Sequence, residues 1–231
     1  MPLFESRGPW APSPLLQSIQ ATYHKLRATM GGLALAFPLV LLIGGHLRGV
    51  ALQGSMSAYY HTSMRDPFVG MLCTVGAALL LYKGFSSAED WALNIGGALA
   101  IVVGLVPVSQ GHDDHLTLHG AAAVLFFVAL AYVAVFRSGD TLSLITNPTR
   151  VTYYRSIYRT LGAAMIVAPA TAAFLVSVWQ YDVTNKSVSF FVEFAGIYAF
   201  GLYWIVKSHE IRGTQRQRRA RPDATAEPHL V

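Results

Sequence analysis

Long apolar runs separated by short polar connections organise this chain. A stretch of about 20 apolar residues is enough to cross a hydrocarbon layer roughly 30 Å thick. Six stretches qualify or nearly qualify: from about Met30 to Val50, Pro67 to Lys83, Asp90 to Val108, His115 to Phe136, Ile157 to Trp179, and Val188 to Val206. The second is the shortest and needs a thin bilayer or polar help at its flanks. Asp66 followed by Pro67 reads as an N-cap and first-turn proline, and Asp114 can cap the fourth helix in the same way. Tyr82, Trp91, Trp179, Tyr181 and Trp204 fall near predicted ends, where amphipathic rings favour the interface. Pro38 and Pro169 sit inside spans and predict kinks that packed membrane helices tolerate. Gly45 with Gly49, and Ala100 with Gly104, are spaced four apart, as close helix contact requires.

Composition agrees with these runs. Of the 231 residues 53% are hydrophobic and only 13% charged, against roughly 25% charged in a soluble globular domain. So little charge cannot cover a water-facing surface of this size. The expected fold is an all-α polytopic membrane helix bundle with about six transmembrane helices over residues 30–207. Residues 1–29 form a polar N-terminal segment, and 208–231 a basic tail expected to be poorly ordered. Residues 1–29 contain four prolines and no apolar core, so they are not read as a cleavable signal peptide, and the first helix is expected to direct insertion. The one cysteine, Cys73, lies in an apolar run and excludes both a disulfide framework and a cysteine-based metal site within one chain.

With six spans the connections alternate between two sides, and one side collects every Lys and Arg except Arg48, Arg65 and Lys186. Positive charge stays cytoplasmic, which places both termini inside and the protein in the cell membrane. The excess also accounts for the net charge of +5 and the pI near 9.4 without a nucleic-acid partner. The tail run RQRRAR is read as a topology determinant, with contact to anionic lipid as the alternative.

This orientation brings two connections to the outer face: LQGSMSAYYHTSMRDP, and VSQGHDDH leading into LTLHG. Ser57, Tyr60, His61, Arg65 and Asp66 therefore share a face with His112, Asp113, Asp114 and His115, with His119 one turn deeper. On one helix His115 and His119 are i and i+4, a spacing that offers two imidazoles to one metal, and His61 would complete a three-histidine zinc site with a position open for water. The alternative is that the histidines are tolerated interfacial residues and Asp113–Asp114 a helix start. Glu193 lies inside the sixth span, about a turn and a half from its outer end, where a carboxylate is costly. It either reaches interfacial water, pairs with Arg48 or Arg65, or serves function. Asn94 reads as an interhelical hydrogen bond.

Ser57-x-x-x-His61, Asp66 and His115-x-x-x-His119 resemble the Ser, Asp and three-His pattern of the membrane hydrolase superfamily that includes alkaline ceramidases and adiponectin-receptor-like proteins. That resemblance implies zinc held by His61, His115 and His119, supported by Ser57 and Asp66, and hydrolysis of a lipid amide by a metal-bound water. The superfamily carries its His-x-x-x-His on the last of seven spans; here it falls on the fourth of six. A longer stretch, SMSAYYHTSMRDPFVGMLCTVGAALLLYKG with the later FGLYWIVK, resembles a group of uncharacterised bacterial multi-pass membrane proteins sharing a Ser-x-Ser-x-Tyr-Tyr and Arg-Asp-x-Phe-Val-Gly signature. Three classes follow: a membrane protein whose outer polar cluster is structural or binds a small ligand, a zinc-dependent hydrolase acting on a lipid or amide at the outer leaflet, and a transporter or channel.

Overall fold

The computed structural model describes residues 14–108, 117–177 and 188–220, without the side chains of residues 172–173, 175–177 and 216–220. Every regular element among them is helical. The long helices are α1 (Pro14–Leu47), α2 (Arg65–Leu81), α3 (Ser87–Leu105), α4 (Leu118–Tyr132), α6 (Pro148–Ser177) and α7 (Val188–Ala220), with a four-residue α5 (Gly139–Leu142) after α4. Residues Ser57–His61 make a 3-10 turn, and Val133–Arg137 a π-helical turn that continues α4.

Hydrogen bonds between distant residues fix the direction of each helix. At one end Arg27 of α1 meets Tyr82 after α2, Ser86 before α3 meets Asp140 of α5, and Tyr158 of α6 meets Glu210 of α7. At the other end Tyr60 meets Leu105 of α3, His119 of α4 meets Val106, and Met56 meets Glu193 of α7. The six long helices therefore run alternately up and down the bundle.

Among the described residues four helical stretches are long and apolar enough to cross a membrane: Pro14–Leu47, Ser87–Leu105, Leu118–Leu142 and Val188–Gln215. The expected count of six rests further on α2, whose 17 residues span about 25 Å, and on α6, which carries Arg150, Arg155 and Arg159 in its first turns. Large apolar side chains face outward around the bundle, with Leu47 79%, Leu81 74% and Trp91 70% exposed. So much outward apolar surface suits a surround of lipid tails.

The helices outrun the apolar stretches that predicted them. α1 starts at Pro14, so Arg27 is helical and buried rather than part of a loose N-terminal segment. α7 continues to Ala220, with Ser208, Glu210, Ile211 and Thr214 buried, so the first turns of the expected tail belong to the bundle. α3 starts at Ser87 because Ser86-x-x-Glu89 is a capping box: Ser86 Oγ accepts from the Glu89 N–H, and the Glu89 carboxylate reaches back to the Phe85 N–H.

α2 and α3 approach each other backbone to backbone. A Cβ placed on Gly97 would stand 2.7 Å from the Gly76 carbonyl oxygen, and one on Gly76 would stand 2.6 Å from the Gly97 carbonyl. Backbone on both sides leaves nothing that can yield. The small face expected from Ala100 and Gly104 is real, but its tightest point lies one turn earlier. Gly49 serves differently: its φ of 71° turns the chain out of α1. Gly97→Ala should cost about 1–3 kcal/mol by overpacking, whereas Gly70→Ala, with open space at its Cβ, should be neutral or stabilising. Thermal unfolding of the two purified variants in detergent measures the difference; equal stability would remove the backbone contact from the account.

Candidate functional site

At the end of the bundle expected to face outward, residues 51–64 fold back and are held from two sides. Phe190 N–H donates to the Gly54 carbonyl at 2.9 Å. The Glu193 carboxylate accepts from the Met56 N–H at 2.8 Å and from the Ser189 hydroxyl at 3.1 Å. Glu193 thus anchors the start of the 3-10 turn from one turn inside α7, and pairs with neither Arg48 nor Arg65. Arg48 instead donates to the Ser63 carbonyl at 2.7 Å, and Arg65 to the Tyr60 hydroxyl at 2.9 Å with its guanidinium over the Tyr60 ring. Tyr60 donates in turn to the Leu105 carbonyl at the end of α3. Ser57 pairs with Ser55, the two hydroxyl oxygens 3.2 Å apart. Phe37, Leu41, Met64, Phe68 and Phe190 fill the space beneath. Burial pushes the Tyr59 hydroxyl above its ordinary pKa, so it stays a neutral phenol.

The expected chemistry of this face divides. Asp66 is not the N-cap of α2: the helix begins at Arg65 after Met64, and Asp66 stands in the first turn, where its charge meets the positive end of the helix dipole. α4 begins at Leu118 and is capped by Thr117, whose hydroxyl accepts from the Gly120 N–H, rather than by Asp114. His112, Asp113, Asp114 and His115 lie outside the described residues, so the i, i+4 pairing of His115 with His119 is not shown. The His61 and His119 rings each donate to a carbonyl, Nε2 to Val108 and Nδ1 to Val106, both at 2.8 Å. The two carbonyls are no more than about 7 Å of chain apart. Among the described residues the other nitrogen of each ring has no partner. Among the described residues no three His, Cys, Asp or Glu side chains form a group able to hold a metal. A half-open cleft of about 370 Å³ lies beside them, lined by Tyr60, Arg65, Asp66, Val69, Gly70 and Leu105.

The opposite end holds a cluster that the apolar runs concealed. Lys207 and Glu210 of α7 pair at 3.2 Å with side chains 1% exposed. Glu210 also accepts from the Tyr158 hydroxyl at 2.6 Å and from Thr141 at 3.2 Å. Lys207 donates to Thr141 and to the Ser138 carbonyl, and its ammonium lies over the Tyr158 ring. The π turn and α5 carry Ser138 and Thr141 into reach. Arg27 and Glu89 are buried beside this pair. Arg27 donates to the Tyr82 hydroxyl at 3.2 Å, and no carboxylate lies within ion-pairing distance of it among the described residues.

Four buried side-chain atoms among the described residues have no hydrogen-bond partner, and all belong to this cluster: Arg27 Nε, Tyr203 Oη, Trp204 Nε1 and Glu210 Oε1. Native structures leave few such groups unpaired, and each calls for a cause. A signal was present in the sequence: Tyr203, Lys207, Glu210 and Thr214 follow i, i+4, i+7, i+11 and continue the buried face of α7 past its apolar stretch.

Comparison with protein-family models, with curated proteins and with solved structures finds no match to this chain.

Removing Glu193 tests the outer anchor. Glu193→Ala leaves the Met56 N–H without its acceptor and should cost about 1–3 kcal/mol, with faster hydrogen exchange confined to residues 54–58. Unchanged exchange there would show that the connection is held by its apolar underside alone.

Proposed function

We propose that this chain is a multi-pass protein of the cell membrane that crosses it six times with both termini in the cytoplasm. Its working site is the buried charged cluster at the cytoplasmic ends of the helices, and it belongs with proteins that bind or move a small polar solute. The observation that carries this reading is the burial of Lys207 and Glu210, each 1% exposed, beside Arg27 and Glu89. Ionisable groups at the membrane are expensive and mark function by default. Replacing a buried ion pair by well-packed apolar residues is often neutral or stabilising, so burial of these charges is weak evidence of a purely structural role. What the cluster offers chemically is fixed charge and aimed hydrogen-bond donors, which recognise a solute.

The alternation of the helices supports the six crossings, since α2 and α6 each travel from one end of the bundle to the other. The positive-inside distribution supports the orientation, because Lys25, Arg27, Lys83, Arg137, Arg150, Arg155 and Arg159 all fall toward the end that carries the cluster. At the outer face, two carbonyl-oriented histidine rings are the pattern that metal-ligating histidines show. This keeps a zinc hydrolase acting on a lipid or amide at the outer leaflet as the second reading, with His115 its third ligand.

Reporter fusions test the orientation. A reporter fluorescent only in the cytoplasm, fused at Arg150 or at the C-terminus, should give full signal, and one fused near Gly111 should give none. Signal at Gly111 would place the charged cluster outside and overturn the assignment.

A further inference from the structure

Arg27 is a buried guanidinium with no carboxylate in ion-pairing distance among the described residues. Its Nη1 donates to the Tyr82 hydroxyl and its Nε–H meets nothing. The Tyr82 ring packs edge-on against Trp204 at 5.0 Å between centroids, and Trp204 against Tyr203 at 5.3 Å. The Trp204 Nε1–H and the Tyr203 hydroxyl are also unpaired. Four neighbouring side chains from α1, the end of α2 and α7 therefore hold donors: a guanidinium N–H, an indole N–H and two phenols. Indole and guanidinium cannot accept. Beyond Arg27 the nearby cations are Lys207, tied to Glu210, and Arg212, which donates to His24 Nδ1 at 3.1 Å. Of the nearby carboxylates, Glu210 binds Lys207, Tyr158 and Thr141, and Glu89 accepts from the Phe85 N–H. Neither lies within ion-pairing distance of Arg27.

We infer that Arg27, Tyr82, Tyr203 and Trp204 form a binding site for an oxyanion, a carboxylate or phosphate oxygen presented at the cytoplasmic end of the bundle. An oxyanion supplies both things the site lacks, acceptors for at least three donors and the charge that balances the guanidinium. Water would satisfy the N–H groups and leave the guanidinium without a direct ion pair. The inference rests on the cytoplasmic cluster being the working site, and it names the solute class. The oxygen comes either from a soluble anion or from a lipid headgroup of the inner leaflet, since Arg27 lies three residues before the first apolar stretch at Met30.

The test uses the full chain purified in neutral detergent. Apparent Tm is followed against sodium phosphate and sodium acetate, with sodium chloride holding ionic strength constant, and in a second arm against phosphatidylglycerol or phosphatidylcholine added to the micelles. A ligand of the folded state raises Tm with concentration. A saturable rise with phosphate or acetate assigns a soluble anion; a rise with phosphatidylglycerol alone assigns the headgroup. In either case Trp204→Phe, which keeps the ring and loses the donor, should weaken the midpoint about fivefold, and Arg27→Gln should abolish the response. If Arg27→Gln fails to fold, Trp204→Phe and Tyr203→Phe decide. No anion-dependent rise, or variants that respond as the wild type does, would overturn the site. This readout is independent of the reporter fusions: anion binding in a chain whose fusions put this end outside would keep the site and discard the orientation.

Discussion

Placing the Lys207 ammonium and the Glu210 carboxylate where water cannot reach them is the constraint on which one end of this bundle depends. Removing an ion from water costs several kcal/mol even after relaxation, and mutual attraction offsets that only with good geometry and further hydrogen bonds. Three elements besides α7 supply those bonds. α6 contributes the Tyr158 hydroxyl, α5 contributes Thr141, and the chain just after the π turn contributes the Ser138 carbonyl. π-helical turns cluster at functional positions. Here the turn carries the chain off the axis of α4 so that Ser138 and Thr141 meet Lys207. Shortening α7 to the length a bilayer requires would remove both charges, and with them the reason for α5.

The two ends of the molecule handle polar groups differently. At the end that carries residues 51–64 most polar side chains go to backbone: Glu193 to Met56, His61 to Val108, His119 to Val106, Arg48 to Ser63 and Tyr60 to Leu105. Such bonds hold a connection still. At the end that carries Lys207 and Glu210, side chains bond mainly to one another, and four buried atoms among the described residues stay unpaired. Buried polar networks that are incompletely satisfied by protein cost stability, and a site is where that cost is retained. This contrast is why the proposed working site lies on the face where positive charge gathers rather than on the face where histidines gather.

The helical class was legible because hydropathy alone decides it: apolar runs of twenty residues leave few alternatives. Helix ends were less so. Span length was set by lipid thickness, yet α1 and α7 extend past their apolar stretches, where His24 joins Ser208 and Arg212. Arg27 and Lys207 read as topology charges and Glu210 was not singled out, since a sequence shows which residues are charged and not which are buried. Asp66 has the composition of a cap, but the chain enters α2 a residue earlier, after Thr62 has accepted from the Met64 N–H. Gly76 and Gly97 were invisible as a pair because their contact depends on which helices become neighbours. Of the outer-face candidates, Tyr60, Arg65 and Glu193 are joined to the structure as described, Ser57 serves its own turn, and the histidine convergence turns on His115.

A double-mutant cycle on Lys207 and Glu210 addresses the central claim. Unfolding free energy is measured for Lys207→Met, Glu210→Met and the double variant in one detergent. Each single change strands a buried charge and should cost about 3–5 kcal/mol, while the double should cost far less than their sum, or stabilise. Small, additive losses would show that water reaches both groups, and that the charged cluster does not organise the fold.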